Sequence, residues 1–400
     1  MTPLARRTVL AAVAATVVTA LPVFLLGGLA VQVSADIGLD ATTLGLAISA
    51  SFVVSAVSSV PAGRLAERLG SRRTMTAGVA VGGLGLTAIA LLARSPVTLI
   101  LLLGLAGIGN AFAQIGANLG LARAVPQHHQ GWAFGVKQAA VPIATLLGGL
   151  AVPLVALTVG WRWAYVAGGA LAIVTLVFLP PDSFDRAEPE PGPGARSPGP
   201  PPPLRTGLAP LLVIAAGGVL AAGSAGSLGG FLVASAVDSG IAPAAAGMLM
   251  ALGSVVGIAG RLVDGYLADR REGGHLPVIS LQLFAGAVGL VLLATGGNVA
   301  ILLGTVLGYG MGWSWPGLLN FAVVRLNRGA PAAATGITQT GIYIGAGTGP
   351  LAFGLLVTAT SFAVAWVSAA GAMIGAALLM LLARRLIHLE RRRLTSRATT

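Results

Sequence analysis

Cysteine is missing from the 400 residues, so neither a disulfide framework nor thiol chemistry is available. Charge is scarce too. Ionised side chains make up 9% of the chain, against roughly a quarter in soluble domains. Four histidines without cysteine leave little for a structural zinc site, and no metal or other cofactor is expected. No nucleophile–base constellation or phosphate-binding loop is present, which speaks against an enzyme. What the chain has in abundance is apolar surface: 56% of its residues are hydrophobic. A bilayer is the solvent that accepts such a composition, and the 58 glycines suit close helix approach in lipid.

Polar punctuation divides the apolar sequence into twelve predicted spans: 9–34, 42–62, 74–93, 97–121, 132–157, 162–179, 209–235, 243–263, 277–295, 299–322, 332–357 and 362–383. Each approaches the ~20 residues that cross a ~30 Å hydrocarbon core. Arg6 and Arg7 precede the first run, as in a signal peptide. Its length and its counterpart in the second half favour a retained first helix. The expected fold is all-α, with two six-helix bundles at 1–180 and 208–400. A disordered cytoplasmic linker at 181–207, rich in proline and glycine, joins them, and a basic tail ends the chain.

The net charge of +12 does not point to nucleic acid, because the arginines lie in short loops between spans. Of 24 basic residues, all but Arg94, Arg162 and Lys137 fall on the side that carries both termini. That asymmetry predicts cytoplasmic termini and a plasma membrane location, and the Ala/Gly/Arg-rich composition goes with a bacterial origin.

The halves repeat. A shift of 202 places Asp36 on Asp238, Asn118 on Asn320 and Arg123 on Arg325, and Gly63, Leu65, Ala66 and Arg68 on Gly265, Leu267, Ala268 and Arg270. Two parallel six-helix repeats enclose a cleft that can face either side when they rock.

The loops reading GRLAERLGSRR from Gly63 and GYLADRREGG from Gly265 resemble the Gly-x-Leu-Ala-Asp-Arg signature of the major facilitator superfamily. The turn GWRWAYV at Gly160 resembles that family's entry to the sixth helix. The resemblance implies a two-bundle transporter whose terminus-side loops brace one closed state. Gly63, Glu67, Arg68, Gly265, Asp269 and Arg270 would form that gate, with Glu67 standing where the motif has Asp. GRLVDGYLADR from Gly260 resembles the eighth-helix end of the family's organic-anion carriers, which would give Arg261 a carboxylate-binding role. The arginine in helix 4 and the Gly-Pro run in helix 5 of the family's drug exporters have no good counterpart here.

All twelve acidic residues are placed in loops, tail or helix ends, so a carboxylate-based proton relay is not expected. Lys137, the only lysine, lies inside the fifth span. It is read as an anion-binding group, with snorkelling to the interface as the competing reading. Asn110, Gln114 and Asn118 recur at i, i+4 and i+8 and form one polar face, lining a cavity or joining helices. Gln138, Trp313, Gln339 and Tyr343 complete the candidate substrate site. For Arg261 the competing reading is an i,i+3 pair with Asp264.

The sequence therefore predicts a secondary transporter that moves a small solute, favoured as a small organic anion, by alternating access. The alternative is an efflux pump for amphipathic compounds or drugs. The expected partners are the substrate and the lipid bilayer, with a coupling ion left open, no nucleic acid, and a monomer as the working unit. A receptor or scaffold would need a soluble domain or a long structured tail.

Overall fold

The computed structural model describes residues 3–179, 206–271, 273–327 and 331–398, and among these the regular structure is entirely helical. Ten helices are long and apolar enough to cross a membrane. One of them, Ala41–Leu92, is two spans merged: Gly70 interrupts it at φ 86° and ψ 170°, a region open to glycine. A further span, over residues 298–326, is broken and falls short of the length of a single helix. Among the described residues the membrane crossings are therefore twelve.

In the first half, α1 (Pro3–Gly28) and the short α2 (Ala30–Ile37) lead to α3 (Ala41–Leu92), α4 (Pro96–Ala124), α5 (Gln127–Gln138), α6 (Ala140–Ala151) and α7 (Trp161–Phe178). In the second, α8 (Leu208–Asp238), α9 (Pro243–Arg270) and α10 (His275–Ala294) precede α11 (Asn298–Leu307) and α12 (Trp315–Leu326), then α13 (Pro331–Ala359) and α14 (Phe362–Ala398). The helix starts are chemically marked. Asp40 caps α3 by accepting from the Thr43 amide at 2.7 Å, while the Thr43 hydroxyl accepts from the Asp40 amide at 3.0 Å. Ser95 and Thr98 repeat that exchange at α4, with Pro96 at its first position.

Two breaks lie beside the candidate site residues, and proline explains the first. Pro142 has no N–H to give the carbonyl of Gln138, so α5 ends there and α6 begins two residues on. In the second half, the wider π turn Gly308–Gly312 separates α11 from α12.

The core is built around α1, in which every residue from Ala15 to Gly28 is buried. A helix apolar all round belongs at the centre of a bundle. The halves meet closely near the face opposite the termini. A Cβ at Gly149 would stand 2.6 Å from the Gly247 carbonyl oxygen, so glycine there permits the backbones to touch. Thr42 bonds Thr358 at 2.8 Å, the Leu351 amide donates to Ser49 at 3.1 Å, and Ser254 donates to Thr145 at 2.9 Å. Toward the terminus face, open space lies beside Gly63, Gly135, Gly265 and Gly336. The halves are thus closed against each other at the face opposite the termini.

Two sequence expectations need revision. The last helix does not stop at 383 but continues to Ala398, so the basic tail begins as helix. His275, expected in a loop, is the first residue of α10 and is 7% exposed. Most of the expected linker lies outside the described residues. Its last two residues are anchored: the Thr206 amide donates to Asn327 and the Gly207 amide to Glu390, both at 3.0 Å.

Candidate functional site

Lys137 sits one residue before the break between α5 and α6 and is 3% exposed. Its ammonium does not snorkel. It donates to the side-chain oxygen of Gln114 and, at 2.9 Å, to that of Asn118. The predicted polar face of α4 therefore turns inward, toward α5. Its upper end continues into the bundle: Asn110 donates to Ser55 at 3.0 Å and accepts from Thr19 at 3.4 Å and from Gln114 at 3.5 Å. One network joins α1, α3, α4 and α5. Ser55 and Thr19 were not singled out from sequence, because a hydroxyl inside a helix usually bonds its own backbone. Thr19 does that as well, at 2.8 Å to Ala15.

Arg261 faces Lys137's helix from the other half. It donates to the carbonyl of Gln138 at 2.5 Å and to that of Trp313 at 3.0 Å. Both carbonyls come from interruptions. The first was freed by Pro142; the second lies between the π turn and α12. The i,i+3 pair with Asp264 is not formed. Asp264 instead accepts from Gln282 on α10 at 2.6 Å and is 9% exposed. The placement of every carboxylate outside the interior is thereby corrected for this residue. Position near a helix end hid it, since the end of α9 is flanked by α10 and α12.

Trp313 packs its ring 5.7 Å from Phe24 of the first half and 5.4 Å from Tyr309, both tilted. Gln138 contributes its backbone to the Arg261 contact. Gln339 is half-buried with an unpaired side-chain oxygen among the described residues, and Tyr343, one turn on, is 37% exposed. Neither joins the Lys137 network through a described contact.

Of the gate residues, Glu67 and Arg68 are exposed. Arg270 stacks over the Tyr266 ring at 4.2 Å. The Asp269 side chain lies outside the described residues. Two surface hollows, of about 790 and 330 Å³, lie near the opposite face, and no candidate site residue lines either.

At the opposite face, Asp36 accepts from Arg162 at 2.5 Å and from the Trp161 indole at 3.2 Å. The bond from the Arg162 guanidinium, ahead of any burial, holds the Asp36 carboxyl below its ordinary value. Arg162 also donates to the Ala93 carbonyl at 3.0 Å, which ties three helix ends together.

Twelve crossings in two repeated bundles, with discontinuous helices at the centre, define a polytopic membrane transporter. A model of the Major Facilitator Superfamily matches residues 12–214 and 214–399, and the chain belongs to that family. Two solved structures of a bacterial homologue of the human lysosomal transporter Spinster are similar to it. They are inward-facing, one occupied and one unoccupied. Each is 16% identical, with 98% of both chains covered and a TM-score of 0.70. At that identity the likeness speaks for the fold.

Proposed function

We propose that this transporter is a carrier of small organic anions in a bacterial plasma membrane, with both termini cytoplasmic. The observation that supports the substrate class most directly is Lys137: a buried ammonium whose described partners are two neutral amides. An ammonium has three donors, and a buried charge calls for a counter-charge. A ligand carboxylate supplies one. Arg261 adds a second cation, from the other half, whose described hydrogen bonds go to two carbonyls. Gln339 and Tyr343 are offered as further ligands of the bound anion, on the second half.

On this reading, the halves rock so that the cleft faces one side and then the other, in a single chain. The loops beginning at Gly63 and Gly265 brace the terminus face when it closes. Glu67 and Arg68 are exposed and free to take part in that brace.

The test is uptake into vesicles containing purified protein, with a panel of carboxylates set against hydrophobic cations. Lys137→Ala should lose carboxylate uptake on the order of 100-fold, as truncating one side of a buried charge pair costs. Unaltered carboxylate uptake by that variant would remove Lys137 from the site. The aromatic group of Phe24, Tyr309 and Trp313 is what favours the second reading, export of amphipathic compounds. That reading expects hydrophobic cations to move independently of Lys137.

A further inference from the structure

Asp264 and Gln282 are buried to 9% and 4% exposure and share one hydrogen bond, from the Gln282 Nε2 to the Asp264 Oδ1 at 2.6 Å. The other oxygen of each, Asp264 Oδ2 and Gln282 Oε1, is buried and has no partner among the described residues. The pair thus presents two buried acceptor oxygens to one another. The Ser314 hydroxyl lies beside the Asp264 carboxyl, close enough to donate to it, and also reaches the Met311 carbonyl at 3.4 Å.

An ionised carboxylate in such a place costs several kcal/mol, and each unpaired buried acceptor adds about 1–3. One proton removes all of these costs. A carboxylic acid carries a donor beside an acceptor, and a primary amide carries the complementary pair. With Oδ2 protonated, its O–H donates to Gln282 Oε1 and closes the second arm of a ring whose first arm is already present.

We infer that Asp264 and Gln282 form a proton-binding site, occupied in this conformation as a neutral acid–amide pair. A bare metal cation fits less well, because hard cations gather roughly six or more oxygens and this site offers two.

The charges that act on Asp264 are Arg261, one turn earlier on α9, and Arg271 at the end of that helix. The surrounding helices carry Lys137 on α5, His275 on α10, Arg325 on α12 and Tyr309 in the π turn. Lys137 is held by its amides, Arg325 donates to the Arg271 carbonyl at 2.9 Å, and His275 meets the Phe321 ring edge-on. When the proton leaves to water, the carboxylate competes for Arg261 at i,i+3 spacing against the Gln138 and Trp313 carbonyls. Deprotonation therefore weakens a contact between the halves. The assignment of this proton as the coupling ion rests on the carrier reading; the site itself rests on the paired orphan oxygens.

Infrared absorption of the purified full-length protein in lipid tests the site without any substrate. The wild type should show a protonated carboxyl band at neutral pH. The band should vanish in Asp264→Asn, shift in Gln282→Leu and persist in His275→Phe. Lack of that band in the wild type, or its survival in Asp264→Asn, would overturn the inference. So would a missing band combined with a sodium-specific rise in Tm that Asp264→Asn abolishes. The wild-type titration stands even where a variant fails to fold. A failure of carboxylate uptake in the Lys137 experiment leaves this readout untouched.

Discussion

The Arg261 guanidinium lies 2.5 Å from the carbonyl of Gln138, a charge from one half resting on a helix break of the other. Hydrogen bonds to charged groups contribute about 1.5–3 kcal/mol each, and here two carbonyls share one donor fork. Arg261→Met should therefore loosen the start of α6, and Arg261→Lys should do so in part, because one ammonium does not reproduce the planar fork. Hydrogen–deuterium exchange over residues 138–143 reads the effect. Exchange rates equal to those of the wild type would show that the contact does no mechanical work.

Asn110 is the joint between the Lys137 cluster and the bundle core, through Ser55 and Thr19. Hydrogen bonds between membrane helices average about 0.6 kcal/mol, because the unfolded chain in lipid also finds partners. A double-mutant cycle of Asn110→Ala with Ser55→Ala should give a coupling of about that size. The measurement is reversible unfolding in detergent–lipid mixtures. Additive losses would show the two side chains to be independent.

Asp36 and Arg162 form an ion pair at the opposite face, with side chains 43% and 34% exposed. The folded carboxyl is held below its ordinary value. Its contribution is thus present above the unfolded value of about 3.9 and is lost as pH falls through the folded one. Asp36→Asn should lower Tm at neutral pH by an amount equivalent to about 0.2–1 kcal/mol, the range for a solvent-screened pair. The two proteins should converge in acid and in high salt. A difference that persists in acid would assign the loss to the Trp161 bond instead.

Much of the fold was legible in the sequence because a lipid-facing helix must be long and apolar, and a repeated bundle must repeat its loops. The Gly63 and Gly265 loops and the Asp36–Asp238 shift carried that information directly. The Lys137 cluster was half legible. The i, i+4, i+8 spacing put Asn110, Gln114 and Asn118 on one face, while the direction of that face depends on how α4 rotates against α5. Arg261 was noticed and its partners were not. Backbone carbonyls freed by Pro142 and by the π turn carry no side-chain mark of their own. Asp264 was misplaced because distance along a helix does not measure depth when α10 and α12 cover its end. Gln282 passed unremarked in an apolar run, since its importance lies wholly in the carboxylate it meets.

Thr42 and Thr358 touch across the sealed face, hydroxyl to hydroxyl at 2.8 Å. The chain has no cysteine, so a pair introduced there reports on one contact alone. Thr42→Cys with Thr358→Cys should form a disulfide under mild oxidation in the conformation described here. If the halves rock, the oxidised protein is held with this face shut. Transport should then stop and resume on reduction, while each single variant works throughout. Any substrate that binds from the terminus face should still raise the Tm of the locked protein, since the lock holds only the opposite face. Full transport by the oxidised double variant, with cross-linking verified by gel mobility, would show that this seam does not part during the cycle. The rocking motion would then have to pivot elsewhere.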